Sequence, residues 1–204
     1  ERHVYEPLCF AEHAAEAYYV ASGQPVSRET SVMDAGSGPG LPGYMFACHT
    51  GAPRVTFLDS SRRRLSRVET FARADDSEEN NTQMRFLYRR AEELTGRFDL
   101  IVSRALIPFP AIVELVAHLQ ESGGILILWA PRTTPDPGKL KIYLDALGYV
   151  SRETLPVPEL AFLGHRSIIV LKKQRASRKG YPRKWKEIKD SISEWNKVQS
   201  TEKL

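Results

Sequence analysis

"MDAGSGPGLPG", Met33 to Gly43, sets four glycines and two prolines into one short stretch behind an apolar lead-in. Glycine loses more backbone freedom on folding than any other residue, so such a cluster marks a place where the chain takes unusual angles or admits a close neighbour. The lead-in "SVM" reads as a strand and "LPGYMFACH" as a helix with Pro42 in its first turn. Strand, glycine loop, helix is the setting of a nucleotide site.

Gly38 to Gly43 matches G-x-G-x-x-G, a weak signal by itself. Asp34, two residues before the first glycine, narrows the choice of ligand. A dinucleotide would lay its diphosphate on the helix N-terminus, where a neighbouring carboxylate repels it. S-adenosylmethionine has no phosphate and carries an ammonium and a sulfonium, which a carboxylate suits. Asp59 closes the next strand, "VTFLDS", where an acid accepts hydrogen bonds from ribose hydroxyls; that role serves either cofactor.

Outward from the loop, strands and helices alternate. "PLCFAEHAAEAYYVAS" reads as an amphipathic helix. "RVTFLDS", "MRFLYRRAEEL", "RFDLIVSRAL", "GGILILWAP" and "RSIIVLKK" read as strands. "SRRRLSRVETFARA", "PAIVELVAHLQ" and "GKLKIYLDALGY" read as helices, and "DDSEENNTQ" as an acidic loop. The continuous apolar run in "GGILILWAP" fits a strand buried on both faces of a parallel sheet. The expected architecture is α/β, a Rossmann-like, mostly parallel sheet with helices on both faces. In such a sheet ligands lie at the carboxyl ends of the strands, where Asp34, Asp59, Ala91–Glu92 and Ser103–Arg104 all fall.

The 204 residues suit one domain, and the apolar fraction of 42% is ordinary. Cys9 and Cys48 have no metal-ligand spacing and read as small buried hydrophobes; no metal site is expected. No apolar run reaches the length of a membrane span and no signal peptide is visible, so a cytoplasmic protein is expected. From the abrupt opening at "ERHVYEPL", further sequence upstream is expected. The net charge of +4 is local: "KKQRASRKGYPRKWKEIK", Lys172 to Lys189, holds nine basic residues and one acid, and the remainder is 20 basic and 24 acidic. That segment reads as a surface for a polyanion, with a solvated tail as the alternative, and Tyr181 and Trp185 read as stacking on bases or packing on the domain.

"DAGSGPGLPG", "VTFLDSSRRR", "RRAEEL", "FDLIVSRAL" and "GHRSIIVLKK…YPRK", in this order, resemble the RsmG (GidB) family over most of the chain. The resemblance implies a class I S-adenosylmethionine-dependent methyltransferase fold and methylation of guanine N7 in small-subunit (16S) ribosomal RNA. The partner would be that RNA or the small ribosomal subunit, met by a monomer. Cofactor contacts are implied at Gly36, Leu41, Ala91, Glu92 and Arg104, to which the ribose argument adds Asp59. The domain is expected over residues 1–173, with a helix at 4–21 packing on it, and a basic extension over 174–204. After "YPRK" the chain departs from the family's proline- and glycine-rich ending and runs "WKEIKDSISEWNKVQSTEKL".

Guanine N7 offers a lone pair and no proton, so its methylation needs no general base. The five scattered histidines read as structural, and no catalytic residue is assigned. Arg104 is placed for the methionine carboxylate, with an RNA phosphate or a surface salt bridge as alternatives. Three other functions stand beside this reading: a methyltransferase for a small molecule or protein, a nicotinamide-dependent oxidoreductase, and an inactive RNA-binding or assembly factor.

Overall fold

The computed structural model describes residues 2–51, 54–74, 83–104, 106–130, 135–164 and 166–197. Among these, seven strands form one sheet: β1 (Ser31–Ala35), β2 (Arg54–Leu58), β3 (Gln83–Leu87), β4 (Leu100–Ser103), β5 (Ile125–Trp129), β6 (Tyr149–Pro156) and β7 (Ser167–Lys173). Their order is β3-β2-β1-β4-β5-β7-β6. The first five are parallel, and β7 runs antiparallel between β5 and β6. The six helices are α1 (Arg2–Ser22), α2 (Gly43–Thr50), α3 (Arg62–Ala74), α4 (Ala111–Ala117), α5 (Pro137–Ala146) and α6 (Trp185–Lys197).

Side chains alternate across a strand, and the sheet sorts its residues accordingly. Val32, Phe57, Val102 and Ile127 face one way and pack with Phe10 of α1, Phe46 of α2 and Leu65 of α3. Met33, Leu58, Ile101 and Leu128 face the other way, onto Leu115 of α4, Leu144 of α5 and Ile188 of α6. The central run Ile125–Leu128 is buried throughout, as a strand covered on both faces must be.

The structure departs from the sequence reading in three places. β6 was not foreseen: it is the edge strand, carries Arg152 and Glu153, and ends at Pro156, and these polar and proline signals are what an edge strand uses. Cys48 is exposed on α2, unlike the buried Cys9. The basic segment is built into the fold: α6 packs along α4, with Tyr181, Trp185, Ile192 and Trp195 against the same core as Ile188. All of "DDSEENNTQ" except Gln83 lies outside the described residues, as does His165.

Candidate functional site

The sheet order reverses between β1 and β4, which opens a crevice at the strand carboxyl ends. The glycine loop fills the start of it. Gly36 and Ser37 both donate their N–H to Leu58 O at the end of β2, at 2.8 and 3.0 Å. Ser37 Oγ accepts from Leu58 N at 3.0 Å and donates to Asp34 O at 2.7 Å. The loop is thereby zipped to the neighbouring strand. Gly36 has φ +74°, and a Cβ there would stand 2.6 Å from Leu106. Both facts require glycine.

Asp59 is buried at the C-terminal end of β2 and organises two elements. Oδ2 accepts from Gly38 N at 2.9 Å, which ties it to the loop. Oδ1 accepts from Ser61 N at 2.7 Å and from Arg64 Nη2 at 3.2 Å, which holds the entry to α3. A carboxylate oxygen has two acceptor positions, so Oδ2 keeps one for a ligand hydroxyl.

Around these residues lies a cavity of about 240 Å³. Gly36, Asp59, Ala91 and Glu92 all border it, so four of the six expected cofactor residues converge from β1, β2 and the turn after β3. Leu58, Leu106, Ile107 and Leu115 supply apolar wall, and Arg64, Arg89 and Arg90 supply charge. Glu92 Oε1 accepts from Arg90 Nε at 2.6 Å. A larger groove of about 580 Å³ lies between α5 and β6, but no residue of the strand carboxyl ends β1–β4 borders it. The smaller cavity is where this topology places ligands.

Leu41 and Arg104 do not border that cavity. Arg104 sits 3.7 Å from Glu6 of α1, whose carboxylate also meets Arg166 Nε at 3.1 Å. Asp34, expected to face a cationic ligand, is fully buried beneath the loop. Its Oδ2 accepts from Gly43 N at 2.9 Å, at the start of α2, and its Oδ1 has no hydrogen-bond partner. Burial pushes the Asp34 carboxyl up to about 7, against the opposing effects of the Gly43 bond and the Arg104 charge. Asp34 therefore positions the loop and its helix.

The basic segment directs much of its charge inward. Arg183 donates to Glu114 of α4 through Nε and Nη2, at 3.0 and 2.7 Å, and through its own N–H at 2.7 Å. Tyr143 Oη donates to the same carboxylate at 2.6 Å. Burial pushes the Glu114 carboxyl up, but the bonds from Arg183 and Tyr143 outweigh it and leave the group below the usual glutamate range. Arg175 and Arg178 both pair with Asp145. Lys173 is buried and donates to Ala117 O and Ser177 Oγ, and Lys172 Nζ donates to Ala21 O at 2.7 Å. Lys179, Lys184, Lys186 and Lys189 stay exposed.

The sequence left Trp185 either stacking on bases or packing on the domain; it packs on the domain and walls the cavity, a place not expected for it. A signal for the docking was present. "AIVELVA" is apolar on every side except Glu114, and a helix of that kind is covered all round and needs a cation for its acid. Among the described residues no His, Cys, Asp and Glu group forms a metal site, and no helix is long and apolar enough to cross a membrane.

Comparison with solved structures supports the same architecture. The chain aligns with magnesium protoporphyrin IX methyltransferase from Synechocystis at TM-score 0.60 and 20% identity, covering 81% of this chain and 80% of that one. This likeness establishes the fold alone, the Rossmann-like fold of class I methyltransferases. Among curated proteins, ribosomal RNA small subunit methyltransferase G of Leptospira biflexa is 37% identical over 92% of this chain and 74% of its own length. The protein of that name from Leptospira borgpetersenii is 37% identical over 76% of this chain, which spans 59% of the relative. The family description rRNA small subunit methyltransferase G (GidB) matches residues 9–134. With its glycine loop and strand-end cavity in place, the chain belongs to the rRNA small subunit methyltransferase G family.

Proposed function

We propose that this protein uses S-adenosylmethionine to form N7-methylguanosine in small-subunit (16S) ribosomal RNA. The observation that carries the reading is the convergence of Gly36, Asp59, Ala91 and Glu92 on one cavity at the strand ends of a chain of this family. The cavity fits the cofactor on its own chemistry. Gly36 brings main chain without a side chain to the cavity border, Asp59 holds a spare acceptor for a ribose hydroxyl, and Ala91 with Leu115 offers apolar surface to a base. The full contact set in this reading is Gly36, Leu41, Asp59, Ala91, Glu92 and Arg104, the last directed to the methionine carboxylate.

Bound S-adenosylmethionine supplies an electrophilic methyl group on its sulfonium. The protein's residues have no proton to remove from guanine N7, so their work is binding and alignment. Holding the two reactants in line is worth up to about 7–11 kcal/mol in well-oriented systems. Arg64, Arg89 and Arg90 at the cavity wall suit an RNA phosphate near the reacting base. The reading carries a monomer working in the cytoplasm.

The test is reconstitution. Purified protein, S-adenosylmethionine and small subunits lacking N7-methylguanosine should yield that nucleoside in 16S RNA, and Asp59→Ala should lower the yield through weaker cofactor binding. Cofactor binding without methylation of naked RNA or subunits would move the substrate elsewhere. Absence of cofactor binding would remove the enzyme reading.

A further inference from the structure

Trp185 is the first residue of α6 and immediately follows the "YPRK" segment, yet it borders the same cavity as Asp59, Ala91 and Glu92. We infer that Trp185 closes the base-binding end of the cofactor cavity, so that the segment after β7 is part of the cofactor site. The inference rests on the cofactor reading above and extends it to a residue outside the strand ends.

Three observations support the assignment. The first is direction. Asp59 marks the ribose position at the end of β2, and the sheet continues from there to β1 on one side and β3 on the other. The polar glycine loop follows β1. The turn after β3 presents Ala91, which is buried beside Leu115 and Trp185 on the cavity wall. Beside the charged Arg89, Arg90 and Glu92 of that turn, Ala91, Leu115 and Trp185 give a flat, uncharged base its apolar surface, and the charged amino-acid moiety suits the other side.

The second is orientation. The Arg90 guanidinium lies over the Trp185 ring, 5.1 Å from its centroid, while Arg90 Nε donates to Glu92. One face of the indole is thus tied to the turn that carries two expected cofactor residues. The third is anchoring. Arg183, two residues earlier, holds the buried Glu114 through a bidentate fork, and Ile188, three residues later, is fully buried. A ring fixed on both sides presents a preformed wall, which lowers the ordering cost of binding. Arg183 is a positioning residue in this scheme, acting through Trp185.

The experiment measures binding in the full chain, without turnover. S-adenosylhomocysteine and adenosine are titrated by calorimetry into the wild type, Trp185→Ala and Trp185→Phe. Loss of one aromatic stacking partner should weaken both ligands about tenfold in Trp185→Ala, and Trp185→Phe should restore most of the affinity. Equal loss for the two ligands places the effect on the nucleoside half. In parallel, S-adenosylhomocysteine should change the tryptophan fluorescence of the wild type, and that change should vanish in Trp185→Phe, a readout that holds even if Trp185→Ala folds poorly. Unchanged affinities and a ligand-induced signal that survives in Trp185→Phe would overturn the inference while leaving the cofactor reading intact. Weakened RNA binding with unchanged nucleoside binding would also overturn it and return the indole to the RNA. Failure of the wild type to bind S-adenosylhomocysteine would defeat the cofactor reading itself, and the inference with it.

Discussion

The glycine loop of residues 36–43 and the basic segment of residues 172–189 reach one cavity, but different forces hold them in place. The loop is set by backbone geometry and by main-chain bonds to the adjoining strands: Gly36 and Ser37 to Leu58, Gly43 to Asp34, Gly38 to Asp59. Its conformation is demanded by its own residues. The basic segment is set by charges whose partners lie far away in sequence, Arg183 on Glu114 and Arg175 with Arg178 on Asp145. Its conformation depends on acids presented by other helices. A loop shaped by its own glycines declares its role; a segment held by side-chain partners on other helices looks like a solvated tail until those partners are known.

The sharpest way to break this contrast is to remove the distant partner. Arg183→Ala leaves a fully buried carboxylate without its cation, a change that costs about 3–5 kcal/mol. For a domain of this size, that lowers Tm by roughly 10 °C, read by thermal denaturation. Cofactor affinity should fall as well, because Trp185 loses its anchor. Truncation after Lys173 should have the same two effects, whereas a solvated extension predicts neither. The pair also has a pH signature. Glu114 is held below the ordinary glutamate range, so its stabilisation is complete above that range and is lost only as the pH falls through the lowered value.

The second break is at the loop. Gly36→Val forces a branched side chain to φ +74° and into Leu106. The backbone strain alone is worth about 1–3 kcal/mol. Cofactor binding should be lost beyond the fraction explained by unfolding, which melting curves and calorimetry on the same preparation separate. Normal affinity per folded molecule would make Gly36 a turn glycine with no ligand role.

The third sharpens the part of the loop that sequence reasoning misplaced. Burial raises the Asp34 carboxyl to about 7, so the native state keeps a proton that the unfolded chain releases near pH 4. Stability from this group is full below about pH 4 and falls as pH rises toward and through about 7. Asp34→Asn has nothing to release. The wild type should lose several degrees of Tm relative to Asp34→Asn between pH 5 and pH 8, and a constant difference would show that Asp34 does not titrate there. Arg104 and Asp59 are present in both proteins, so the difference between the two curves isolates the carboxyl.

How much the sequence disclosed follows the same division. The alternation of strands and helices and the doubly buried β5 were legible because each is encoded in neighbouring residues, whereas Gly36, Asp59, Ala91 and Glu92 were brought together by the strand-end rule and the family resemblance. Asp34 was read as facing a ligand because its position in the motif is visible, while its direction is set by Gly43 N nine residues on. Arg104 was likewise placed by the end of its strand, and its contact with Glu6 depends on α1. β6 was hidden by its edge-strand chemistry. Trp185 was hidden because nothing near it in sequence names Arg90 or Glu114 as its surroundings.

The smallest expected effect tests whether the charges paired with Asp145 and the exposed lysines of the basic segment remain distinct when RNA is present. Each phosphate neutralised by a lysine adds about 0.7 to the slope of log affinity against log salt for single-stranded RNA. Lys179, Lys184, Lys186 and Lys189 are exposed, so replacing all four with glutamine should flatten the slope by at most about 3, with Tm nearly unchanged. Arg175 and Arg178 already share Asp145. Replacing these two with glutamine should leave the slope as it was and change Tm little, as expected of an exposed pair. Filter binding of a short 16S fragment across a salt series measures the slopes, and thermal melts measure the stabilities. If the two arginines flatten the slope by as much per residue as the lysines, RNA draws them away from Asp145. The paired arginines and the exposed lysines would then be one surface in exchange between two partners.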